Sequence, residues 1–104
     1  MSKNFADNIT AAASALADAV RRESELEDNR ISVKMSAVER IMRSGDNPLT
    51  SKPHSFSSAE ALVNTDAAYS DYLGQCRDAA HARMIARGNY DAALATARLA
   101  AEAV

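Results

Sequence analysis

The chain has no tryptophan, one cysteine, two prolines and three glycines among its 104 residues. The lone Cys76 forbids an intrachain disulfide and fits a reduced, cytoplasmic setting. With so few glycines, no phosphate-cradling loop is written into the chain. Long apolar runs are missing too: Lys3, Asp7 and Asp18 interrupt the alanines of the N-terminal stretch, so neither a signal core nor a spanning segment is expected. Neither charge dominates. Twelve basic and fourteen acidic residues leave a formal charge of −2, which is not the balance of a nucleic-acid coat nor acidic enough for a DNA mimic. The five aromatics are Phe5, Phe56, Tyr69, Tyr72 and Tyr90, so bulky core material is thin.

What the chain does have is 23 alanines. Alanine extends helices but buries little area, and burial stabilises by only about 25 cal/mol per Å². Both prolines fall in residues 44–60, SGDNPLTSKPHSFSSAE, with long proline-free stretches on either side. This predicts one all-α domain over residues 1–104: a helix over 3–43, a loop over 44–57, and a helical region over 58–103. The two long helices form an antiparallel hairpin. A core this thin is expected to be completed by association, as a homodimer or with a partner.

The apolar spacing supports that reading. Ile9, Ala13, Leu16 and Val20 recur at steps of four and three, and the stripe resumes at Ile31, Met35, Val38 and Met42. The alternation Ile31, Val33, Met35 has no second strand to pair with and is read as helix. Gly45 lies just past the last turn, where glycine commonly ends a helix. Ser57-Ser58-Ala59-Glu60 matches a capping box with Phe56 as its staple, and Asn64-Thr65-Asp66 marks a second cap. Thereafter Tyr69, Leu73, Cys76, Ala80, Arg83, Arg87, Tyr90, Leu94, Ala97 and Ala101 follow a coiled-coil rhythm, with a weak point at Gly88-Asn89. Each stripe crosses two charges of one sign. An antiparallel register with residue numbers summing to about 110 sets Glu23 against Arg87 and Glu27 against Arg83, a polar layer that fixes register more than it stabilises.

The loop is the segment least explained by helix packing. Pro48 and Pro53 stiffen it, Leu49 and Phe56 need either a core or a partner, and Asn47 sits at its start. Arg40, Arg43, Lys52 and His54 make this end basic, and a helix start nearby offers free N–H groups to a phosphate or carboxylate. These seven residues, Arg40, Arg43, Asn47, Leu49, Lys52, His54 and Phe56, are the candidate partner-binding set. The competing reading is a loop that only caps two helices.

Enzymatic chemistry finds little support. Cys76 lies on the expected seam, where a lone cysteine is ordinarily a small apolar residue. Asp78 and His81 make half of a carboxylate-x-x-His metal pair with no second half evident. No catalytic residue, metal or cofactor is expected. Gly88-Asn89-Tyr90-Asp91-Ala92-Ala93 is similar to a tetratricopeptide-repeat turn, but the rest of that pattern fails and there is no second copy.

The segment N-P-L-T-S-K-P-H-S followed by S-S-A-E, with A-R-G-N-Y-D-A-A-L-A-T-A-R-L-A at Ala86 to Ala100, resembles small helical proteins encoded by phages and prophages, to which no activity is attached. The resemblance covers the second half of the chain well and the first helix only in its helical character. It implies phage origin, a shared loop and, for localisation, the cytoplasm of a bacterial host. The expected function is a non-enzymatic interaction protein that modulates a host or phage DNA-processing or defence complex through its loop and helix surface. The alternatives are direct nucleic-acid binding, through Arg21, Arg22, Arg30 and Lys34 of the first helix, against which Glu23, Glu25, Glu27 and Asp28 weigh, or through the basic loop end, or a virion assembly role.

Overall fold

The computed structural model describes residues 4–103. Its elements are α1 (Phe5–Asp28), α2 (Arg30–Arg43), α3 (Phe56–Glu60), a 3-10 turn (Val63–Thr65) and α4 (Ala67–Glu102). Among the described residues the one extended pairing is an isolated antiparallel bridge between Asp46 and Pro53. The protein is an all-α helical hairpin in which α1 and α4 pack against each other. The chain divides into two compact units, one joining the residues up to Glu25 with those from Arg77 onward, the other Leu26–Cys76.

The expected first helix is two helices. Asn29 sits between them at φ −91° and ψ −2°, and its N–H bonds the Leu26 carbonyl at 3.2 Å in a tight three-residue step. The local chemistry accounts for this. Glu27 and Asp28 are unfavourable at the negative C-terminal end of α1 but favourable just before the N-terminus of α2, and Asp and Asn are weak helix formers. Ala37, Val38 and Ile41 are the buried residues of α2, Val38 as the stripe predicts, while Ile31 is 78% exposed and Met35 and Met42 lie outside the core.

In the first unit the seam departs from the expected one by a single position at some turns and keeps it at others. Ile9, Leu16, Glu23, Arg83, Tyr90 and Ala97 are on it as anticipated, but Ala19, Ala86 and Ala100 replace Val20, Arg87 and Ala101, which are exposed. The small alanines take the closest positions, and the larger side chains flank them. The charge layer changes accordingly. Arg83 Nε donates to Glu23 Oε1 at 2.8 Å, whereas Arg87 faces Asp91 one turn along its own helix at 3.6 Å. Glu27 binds Arg30 instead, through Nε at 3.0 Å and Nη2 at 2.9 Å. The proposed Glu23–Arg87 and Glu27–Arg83 pairs are thus corrected to a single Glu23–Arg83 pair. Helix α4 runs unbroken through Gly88-Asn89, where the flanking alanines outweigh one glycine.

The second unit holds the better core: Leu26, Ala37, Val38, Ile41, Ala59 and Val63, with Tyr69 and Tyr72 stacked at 6.2 Å. The Tyr72 hydroxyl donates to the Leu26 carbonyl, tying α4 to the break between α1 and α2. Burial pushes the Tyr72 phenol up to about 12, with the neighbouring Cys76 adding to the shift. The break before α4 lies where the sequence places it. Asp66 is the cap: its Oδ2 accepts from the Tyr69 N–H at 2.9 Å. The cap of α3 is Ser55, not Ser57. The Ser55 hydroxyl accepts from the Ser58 N–H at 3.2 Å, Phe56 opens the helix, and Glu60 pairs with Lys34 at 3.5 Å.

Candidate functional site

The loop between α2 and α3 is tightly built. Ser44 ends α2, its N–H and hydroxyl both reaching the Ile41 carbonyl, and Gly45 follows at φ 140°, a conformation that L side chains rarely adopt. Asn47 organises the tip. Its N–H donates to the Lys52 carbonyl at 2.7 Å, and its own carbonyl accepts from Thr50 and Ser51. Its Oδ1 accepts from the Leu49 N–H at 3.0 Å, the side-chain turn for which asparagine is suited. Ser51 closes the turn at φ 57°. Asn47 is thus a scaffold residue of the tip.

Three of the four basic residues at this end are already committed. Arg40 makes a two-pronged pair with Asp66, Nε to Oδ1 at 2.9 Å and Nη2 to Oδ2 at 2.7 Å. That pair, together with the Tyr69 N–H, holds the Asp66 carboxyl down at about 2. Arg43 pairs with Glu39 at 3.1 Å. His54 is buried, its Nδ1 3.0 Å from the Ser58 hydroxyl, which in turn donates to the Ser55 carbonyl. It is a core residue under the loop and not a surface cation. Lys52 is exposed, and no ion pair engages it among the described residues. Of the four basic residues, Lys52 is the exposed one that no carboxylate meets among the described residues.

The apolar members of the set are presented differently. Leu49 is 92% exposed at the tip, and Phe56 is about half exposed at the start of α3. Beside Leu49 lies an apolar groove of about 160 Å³, lined by Asn47, Pro48, Leu49, Ser58, Ala61 and Leu62. Pro48, Ala61 and Leu62 were not among the sequence candidates. The signal that could have found them is the pairing of Pro48-Leu49 with Ala61-Leu62, two short apolar doublets outside both helix stripes.

Elsewhere Arg21 pairs with Asp18 at 2.7 Å and Arg30 with Glu27. Among the described residues no group of three or more His, Cys, Asp or Glu side chains converges as a metal site, and no helix is long and apolar enough to cross a membrane. No protein-family model, curated protein or solved structure matches the chain.

Proposed function

We propose that this protein is a non-enzymatic binding module whose α2–α3 loop docks an apolar side chain of a partner protein. One observation carries the reading: Leu49 is almost fully exposed on a loop whose backbone is held by its own hydrogen bonds. A leucine left in water on a floppy tip would mean little. On a stiff tip beside an apolar groove, it is a preorganised contact, with little ordering entropy left to lose on binding. The matching of Arg21, Arg30, Arg40 and Arg43 by carboxylates favours a protein partner over nucleic acid, because these four arginines already have counter-charges of their own. The resemblance of the loop segment to phage-encoded proteins directs the search to host or phage DNA-processing and defence complexes.

The test is affinity capture from host lysate with wild type and Leu49→Asp as paired baits, read by quantitative mass spectrometry. Leu49 has no core role, so the variant is expected to keep the wild-type helicity and melting temperature. A protein enriched on wild type and lost on Leu49→Asp supports the reading. Identical captured sets from two equally folded baits would refute it.

A further inference from the structure

The outer face of α4 in the first unit carries a second seam that the hairpin does not use. His81, Ile85, Gly88, Ala92, Ala95 and Leu99 follow one another at steps of four and three, and all are exposed. The row contains no Asp, Glu, Lys or Arg over a helix length of about 27 Å, whereas a solvent-facing helix surface of that length ordinarily carries charge. Ile85 is 51% and Leu99 66% exposed, and Met84 beside them is 63% exposed.

We propose that this face docks a second copy of the chain, α4 against α4, antiparallel about a two-fold axis near residues 88–92. Two arguments select that occupant. The first is size pairing. With residue numbers summing to about 180, Ile85 opposes Ala95 of the second copy, Gly88 opposes Ala92, and Leu99 opposes His81. Small residues meet at the centre, and a large one faces a small one at the next layer, which is how two seams interdigitate. A parallel pairing would set Ile85 on Ile85 and Leu99 on Leu99 and hold the small waist apart. The charge next to the axis is tolerable, since Asp91 is already matched by Arg87 on its own helix at 3.6 Å.

The second argument is area. The chain exposes 7404 Å². A self-sufficient monomer of 11.1 kDa exposes about 5,700 Å². The surplus, about 1,700 Å², belongs to the chain as a whole and exceeds the ~800 Å² per partner that a standard stable interface buries, which is the area a second copy needs. Self-association through this face also supplies core that the alanine-rich hairpin lacks. It involves none of the loop residues, so it stands or falls apart from the binding reading above.

Sedimentation equilibrium of wild type and Ala92→Glu tests it. Glutamate is a good helix former at an exposed helical position, so the variant should fold, which circular dichroism checks. Wild type is expected at twice the chain mass and Ala92→Glu at the single-chain mass with unchanged helicity. The orientation is read separately in a Cys76→Ser background. Mixed Gly88→Cys and Ala92→Cys chains should cross-link to each other, and Leu99→Cys chains should not cross-link to themselves. A monomeric wild type overturns the proposal, as does a dimer that Ala92→Glu leaves intact. A Leu99–Leu99 cross-link overturns the antiparallel orientation.

Discussion

Removing the hydroxyl of Tyr72 isolates the bond that ties α4 to the α1–α2 break. Tyr72→Phe keeps the ring, its burial and its stacking on Tyr69, and deletes the hydroxyl that donates to the Leu26 carbonyl and neighbours Cys76. The cost depends on what the carbonyl has left. An orphaned buried acceptor costs about 1–3 kcal/mol, but this one still accepts from the Asn29 N–H at 3.2 Å. The loss should therefore fall at the lower end, about 1 kcal/mol, which corresponds to roughly 4–8 °C in melting temperature for a domain of this size. Tyr72→Ala, which also removes the ring, should cost about 3–5 kcal/mol. The pH dependence gives a second readout. The folded phenol titrates at about 12, above the ordinary value of 10.0, so the folded state binds the proton more tightly than the unfolded one. Its contribution is full below pH 10 and is lost as pH rises through about 12. Urea unfolding followed by far-UV circular dichroism, at neutral pH and across that alkaline window, measures both effects. Tyr72→Phe should start lower and decline less steeply. A variant as stable as wild type, with the same alkaline decline, would show that the hydroxyl does not hold the break.

Two further outcomes follow from the same geometry. Asp66 is held at about 2 by Arg40 and the Tyr69 N–H, so its contribution is present above its ordinary value of 3.8 and is lost as pH falls through about 2; acid unfolding of Asp66→Asn should lack that part of the decline, and an unchanged acid limb would refute the pairing. Gly88 lies inside α4 with nothing within 4 Å of an added Cβ, so Gly88→Ala should stabilise by about 0.5–1 kcal/mol in thermal melts; measuring it in the Ala92→Glu background removes any contribution from self-association, and a destabilised variant would contradict the continuous helix.

The hairpin was legible because its signals are local. Proline restricted to one segment and alanine spread through the rest define two helical halves without any knowledge of packing. The Asp66 cap was legible for the same reason: its partner, the Tyr69 N–H, lies three residues away. The break at Asn29 is hidden in the sequence because apolar residues recur at helical spacing on both sides of it, and the acidic Glu27-Asp28 at the end of α1 is a weaker signal than that recurrence. The seam was placed one position off for a related reason. Choosing the larger residue at each turn favours Val20 and Arg87, whereas helices packed through alanine turn Ala19 and Ala86 inward and leave the larger side chains at the flanks.

At the loop, what the sequence leaves out is which side chains its charged residues meet in the fold. Counting Arg40, Arg43, Lys52 and His54 as a basic cluster assumes that each stays free, and that depends on neighbours distant in sequence. Asp66 is 26 residues from Arg40, and only the folded second unit brings the two together. Once Arg40 and Arg43 are paired and His54 is buried, what distinguishes the tip is the apolar Leu49 beside Pro48, Ala61 and Leu62. The balance of free energy shifts with that change. A single exposed lysine offers a partner little beyond a screened surface attraction, about 0–1 kcal/mol, whereas fully burying a leucine on binding is worth about 1.5–3 kcal/mol. On the proposed reading, a partner should therefore present an apolar side chain that covers Leu49, and its binding should depend far more on that leucine than on salt.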